Sequence, residues 1–335
     1  MQFDRLNRRE LVMLLGGAAA AWPLAGRAQQ AERMRRIGVL MSYAESDPDG
    51  QTFIAAFREG LQQLGWVEGR NIRIDARWAA LDDGAMQRFA KELIALQPDL
   101  ILSQTTNSTA ALLQQSRSVP IIFANVADPV GNGFIASLPR PGGNVTGFVL
   151  SEPTMAGKWL ELLKEIAPRV KRAALLFNPA TAPFAEYFVE PFKAAAQSAG
   201  VEAIKATVHD KSELETVIGA HARERDSGLI VIPDAFLNVH RVEVTSLAAR
   251  HQLPAIYPYR FYPEVGGLLS YGNDVVDNYR RAAGYADRIL KGAKPSELPV
   301  QAPVKFELVI NLKTAKALSL DVSMFLRQRA DDVIE

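Results

Sequence analysis

Ile37-Gly38-Val39-Leu40-Met41 is an unbroken apolar run, followed by Ser42-Tyr43 and then by Phe53, Ile54, Phe57, Leu61 and Leu64 at helical spacing up to Gly65. A run without polar alternation reads as a strand covered on both faces. The three- and four-residue spacing behind it reads as an amphipathic helix closed by a C′ glycine. Strand then helix, repeated, means βαβ units and a parallel sheet. The pattern continues outward. Ile72–Ala76 alternates like a strand nearer an edge, Asp82 or Asp83 caps a helix carrying Met86, Phe89, Ala90, Leu93 and Ile94, and Leu100–Leu102 and Ile121–Ala124 are buried strands. Val145–Val149 closes the first half.

The second half repeats the order, with strands predicted at Ala173–Phe177, Val201–Thr207, Leu229–Ile232, Ala255–Tyr257 and Gly267–Ser270, and helices including Phe184–Ala199 and Phe236–Arg250. A helix at Asp277–Lys291, a loop through Pro295 and Pro299 and a strand at Phe306–Ile310 bring the chain back. The fold class expected is α/β, as two similar Rossmann-like lobes with parallel sheets joined by a multi-crossing hinge. One lobe takes 35–149 plus about 273–300, the other 150–272, and 301–335 returns across the hinge as a strand and helix.

The 335 residues suit two such units, and 48% hydrophobic with 22% charged residues excludes a disordered tail or a polytopic membrane protein. Lys and Arg number 38 against 37 Asp and Glu, so there is no basic excess for a nucleic-acid backbone. Cysteine is absent, which removes disulfides, Cys-ligated metals, thiol nucleophiles and a cysteine-borne lipid anchor. Residues 1–28 read as an export signal: Arg5, Arg8 and Arg9 precede the apolar stretch Leu11–Leu24, and Gly26-Arg27-Ala28 is a small-x-small cleavage site. That stretch is shorter than the roughly 20 residues of a spanning helix. Asn7-Arg8-Arg9-Glu10-Leu11 partly matches a twin-arginine signal. Without residues 1–28 the chain carries 34 basic and 35 acidic side chains, and the expected location is the periplasm, as a soluble protein with no anchor.

In open parallel sheets ligands sit beyond the carboxyl ends of the strands, and a gap between lobes is a common ligand site. The loops leaving each strand are polar and aromatic here: Ser42-Tyr43, Ser103-Gln104-Thr105-Thr106-Asn107-Ser108, Asn125-Val126-Ala127-Asp128-Pro129, Asn178-Pro179-Ala180-Thr181, Pro233-Asp234-Ala235-Phe236, Pro258-Tyr259-Arg260-Phe261 and Ser270-Tyr271. Thr105 and Thr106 at a helix start suit an anion, or one of them simply caps the helix. Asp128 and Asp234 are acceptors for an ammonium or hydroxyl, or a turn opener and an N-cap. Tyr43, Phe236, Tyr259 and Tyr271 offer ring faces, and Arg260 is a second anion contact or a rim charge. With Ser42, Gln104, Asn125 and Asn178, these form the candidate ligand-binding set.

Catalytic signatures are missing: there is no G-x-S-x-G, H-E-x-x-H or G-x-x-x-x-G-K-[ST]. Gly131–Ala136 spells G-x-G-x-x-A but does not leave a strand directly, and no acidic residue follows at the dinucleotide-site distance. His240 and Glu243 lack further metal ligands, so neither metal nor cofactor is expected.

Several segments resemble one family closely: Arg36–Leu40, Leu64-Gly65-Trp66-Val67-Glu68-Gly69-Arg70-Asn71, Asp128-Pro129-Val130-Gly131, Arg140-Pro141-Gly142-Gly143-Asn144-Val145-Thr146-Gly147, Lys158–Leu163 and Phe306–Asn311. From about residue 35 to the C-terminus the chain is similar to the substrate-binding proteins of ABC importers, in the branch that includes tryptophan/tyrosine-binding subunits. The resemblance implies a type I periplasmic binding protein fold that closes on a small ligand, and delivery to an ABC permease with its cytoplasmic ATPase. In the aromatic amino acid-binding relatives, the positions like Thr105-Thr106 and Asp234 lie in segments facing the cleft. Pro233-Asp234-Ala235-Phe236 departs from the relatives' more hydroxyl- and amide-rich stretch. The rival readings are an exported hydrolase using Asp128 and Asp234 as a carboxylate pair, and a sensor presenting its ligand-bound shape to a membrane kinase.

Overall fold

The structure is a computed structural model that describes residues 34–335; the expected signal, residues 1–28, lies outside the described residues. Two sheets organise it. The first contains β1 (Arg35–Met41), β2 (Ile72–Trp78), β3 (Leu100–Ser103), β4 (Ile121–Val126) and β5 (Val145–Val149), all parallel in the order β2-β1-β3-β4-β5. The continuous apolar runs are its buried strands, and the alternating run, β2, is an edge. The second contains β6 (Arg172–Phe177), β7 (Glu202–Thr207), β8 (Ser227–Val231), β9 (Ala255–Tyr257) and β10 (Leu269–Asn273), again parallel, with β6 to β10 in the same 2-1-3-4-5 arrangement. Beyond β10 the sheet continues with β11 (Phe306–Asn311), antiparallel to it, and β12 (Asp332–Ile334).

Helices cover both faces of each sheet. The helix Pro48–Gln63 packs against Val275–Leu290 on one face of the first sheet, so a late segment of the chain completes the first lobe. The crossing is close: a Cβ on Gly60 would lie 2.7 Å from Cβ of Ala283, which explains glycine there, and Trp66 Nε1 donates to Asp287 Oδ1 at 2.9 Å. The chain passes between the halves at Val149–Met155, Asn273–Val275 and Gln301–Phe306, and several passages side by side make a hinge. Gly147 marks another constraint. Its φ is +150°, and a Cβ there would sit 2.1 Å from the carbonyl oxygen of Phe123, at the point where the β4–β5 register shifts.

One boundary differs from the periodicity. The helix anticipated over Phe236–Arg250 is two helices, Ala235–Val239 and Arg241–Arg250, broken at His240, and Arg241 donates to the freed carbonyl of Asn238 at 2.9 Å. The helix after β3 begins at Thr106, because Thr105 and Ser108 close a capping box around its first turn.

Candidate functional site

Because all strands of a parallel sheet end on one side, the exit loops of each lobe gather at one rim, and the two rims face each other. Between them lies a cavity of about 40 Å³, lined from the first lobe by Tyr43, Phe53, Gln104, Thr105, Asn125 and Leu150, and from the second by Thr181, Phe184, Pro233, Asp234, Ala235, Asn238, Tyr259 and Phe261, with Val275 at the crossing. That volume holds about three waters, so a larger ligand enters only when the lobes part. A wider groove of about 740 Å³ runs past Pro168, Asp226, Gln252 and Ser319, at the opposite ends of the second sheet's strands, and no exit loop reaches it.

The first lobe offers neutral polar groups. Gln104 Oε1 accepts from the backbone N–H of Ser42 at 2.7 Å, which fixes the side chain and leaves its Nε2 as the free end. Asn125 Oδ1 accepts from Asn278 Nδ2 at 3.0 Å, again leaving the amide NH₂. Thr105 caps the helix Thr106–Gln115 and exchanges a 2.7 Å hydrogen bond with Ser42 Oγ.

The second lobe offers a carboxylate. Asp234 is 2% exposed, and its Oδ1 accepts from Thr181 Oγ1 at 2.5 Å and from the backbone N–H of Phe236 at 2.8 Å and of Leu237 at 3.4 Å. Its Oδ2 accepts from the N–H of Asn178 at 2.6 Å, leaving one acceptor position on that oxygen. Burial pushes the Asp234 pKa up to about 6, against the lowering effect of these donors. Among the described residues no Lys or Arg lines the cavity, so the one formal charge they place in its wall is negative and has no counter-ion there.

Of the residues anticipated from the exit loops, Tyr43, Gln104, Thr105, Asn125, Asp234 and Tyr259 stand in the cavity wall. The others do not. Ser42 lies behind Gln104 and Thr105 as their partner. Thr106 turns its hydroxyl to accept from the N–H of Ala127. Asp128, at φ +44°, folds back to accept from the N–H of Gly131, so the facing carboxylate pair of the hydrolase reading is not formed across the cavity. Asn178 uses its side chain on the carbonyl of His209 and the N–H of Ala180. Phe236 is buried against His240, with ring centroids 4.5 Å apart. Arg260 is held on the surface by Glu264, Glu307 and Asp332, and Tyr271 stacks on Phe306 across the β10–β11 pair. The cavity wall also holds residues outside that set: Phe53, from the apolar stripe of its helix, Thr181, Phe184 and Phe261, and Asn238, one helical turn past Asp234.

Two α/β lobes of one topology, joined by several crossings and closed over an aromatic-walled cavity, define a two-lobed binding protein of the type I periplasmic class. The chain belongs to the family described as ABC transporter substrate binding protein, whose model matches residues 45–334. A tyrosine-binding protein from Clostridioides difficile (strain R20291) is 27% identical over 292 residues, covering 86% of this chain and 82% of that protein. Among solved structures, an ABC domain in complex with L-Trp from Streptococcus pneumonia is 28% identical with a TM-score of 0.83, covering 90% of this chain and 100% of that one. A conserved domain protein from Vibrio cholerae is 26% identical with the same TM-score and the same coverage.

Proposed function

We propose that the protein is the periplasmic receptor of an ABC importer for an amino acid with an aromatic side chain, which it passes to a membrane permease driven by a cytoplasmic ATPase. The polarity split across the cavity carries the reading. Neutral donors on the first lobe (Gln104, Thr105, Asn125) suit a carboxylate, and the uncompensated carboxylate of Asp234 on the second suits an ammonium. Tyr43, Phe53, Phe184, Tyr259 and Phe261 supply ring faces for the side chain. A zwitterion held this way favours the closed form, and closure is the shape a permease reads. The similarity to proteins described as tyrosine-binding and as L-Trp-bound points the same way.

Titration calorimetry tests it with L-tryptophan, L-tyrosine and L-phenylalanine beside tryptamine and indole-3-propionate. The amino acids should bind, and the two compounds missing one charged group should bind at least about tenfold more weakly, the loss expected for a charge-assisted hydrogen bond. No binding by the amino acids, or equal binding by the acid lacking an ammonium, overturns the reading.

A further inference from the structure

One hydroxyl, on a residue of the cavity wall, has a proton with no acceptor among the described residues. The side-chain amide of Asn238 stands between two phenols: Tyr262 Oη is 3.0 Å from Asn238 Oδ1, and Asn238 Nδ2 is 3.1 Å from Tyr43 Oη. An amide can stand there in two orientations. With Oδ1 toward Tyr262, that hydroxyl donates to the amide, and the amide NH₂ donates to Tyr43. Turned over, the NH₂ would donate to Tyr262 and Oδ1 would accept from Tyr43. Tyr262 is 0% exposed and has no other side-chain hydrogen bond among the described residues, so the second orientation leaves a buried O–H without an acceptor. Tyr262 therefore selects the first. In that orientation Tyr43 accepts from Asn238 and keeps its own proton, at a residue that lines the ligand cavity.

We propose that Tyr43 is a hydrogen-bond donor to an oxygen of the bound ligand, and that Asn238 and Tyr262 are positioning residues that hold it in that role. The proposal rests on the zwitterion reading, which supplies the acceptor: the carboxylate or, for tyrosine, the phenol oxygen. It adds a selection rule, since an amine without an acceptor gains nothing from this contact. It also ties recognition to closure. Tyr43 follows β1 in the first lobe, while Asn238 and Tyr262 belong to the second, so the chain of hydrogen bonds exists only when the lobes meet. Burial raises the Tyr43 pKa, so the donor keeps its proton at physiological pH.

The test is calorimetry on the wild type, Tyr43→Phe, Tyr262→Phe and the double variant with L-tyrosine, L-phenylalanine, L-tryptophan and tryptamine. Each replacement removes one oxygen without changing the space filled, and thermal midpoints report on folding. Tyr43→Phe should weaken the ligand that supplies the acceptor about tenfold and leave tryptamine unchanged. Equal losses for L-tyrosine and L-phenylalanine assign the carboxylate; a loss for L-tyrosine alone assigns its phenol oxygen. Tyr262→Phe, which frees Asn238 to turn over, should weaken the same ligands by a smaller factor and add nothing in the double variant. A Tyr43→Phe protein that binds every ligand within twofold of wild type, or that loses tryptamine equally, overturns the proposal. A wild type that binds none of the three amino acids overturns the zwitterion reading, and this proposal with it.

Discussion

Asp234 does two jobs that pull against each other. It ties the exit of β6 to the exit of β8 through Asn178 and Phe236, and it holds an uncompensated charge in the wall of a cavity. Its pKa, raised by burial from the ordinary 3.8 to about 6, gives both roles a pH signature. In the empty protein the folded state takes up the proton more readily than the unfolded chain. The contribution to stability is therefore full below about pH 4 and lost as pH rises through about 6, an effect of about 3 kcal/mol. Ligand binding has the opposite slope. An ammonium needs the ionised carboxylate, so amino-acid affinity should fall toward tenfold per unit as pH drops below about 6, with protons released on binding. Calorimetry in buffers of different ionisation heat reads this directly. An affinity flat between pH 7 and 5 would mean that no cation meets Asp234.

At the scale of an element, the helix Thr106–Gln115 separates capping from recognition, because its two threonines divide the work. Thr105 caps and faces the cavity, while Thr106 points away and holds the N–H of Ala127. Glycine is nearly as good a cap as threonine, whereas alanine loses about 1 kcal/mol. Thr105→Gly should therefore keep the unfolding midpoint close to wild type while lowering ligand affinity several-fold, and Thr106→Val should do the reverse. Stability and affinity falling together in Thr105→Gly would leave Thr105 as a cap alone. Elements of this kind were legible where local chemistry suffices. Apolar runs marked β1, β3, β4 and β8, and the polar exits marked the rim. What a side chain does at the rim was less legible, because it depends on partners far along the chain. Arg260 is engaged by Asp332, 72 residues on, and Asn238 meets Tyr43 across 195 residues. Phe53 and Phe236 show the same limit. Both are aromatic residues near an exit, and only the packing of two lobes turns the first toward the cavity and the second against His240. The break at His240 has no glycine or proline to announce it.

Across the whole molecule, closure rests on few contacts. Asp49, in the first turn of Pro48–Gln63, pairs with Arg241 of the second lobe at 2.8 Å, Asn107 Nδ2 donates to the carbonyl of Ala180 at 2.9 Å, and Tyr43 meets Asn238. The side chains of Asp49 and Arg241 are only 18% and 16% exposed, so salt screens the pair weakly. These contacts close the lobes over a cavity too small to admit an amino acid, so opening comes before binding. A latch shared by the empty and the loaded closed forms sets rates rather than affinity, because it cancels from the difference between them. Asp49→Asn should therefore raise both the association and the dissociation rate constants about tenfold, the scale of a partly buried ion pair, and leave Kd within about threefold. Stopped-flow fluorescence of the protein's own tryptophans gives both constants. An increase confined to dissociation, with Kd weakened by the same factor, would place the latch in the loaded form only and would make the empty protein an open one.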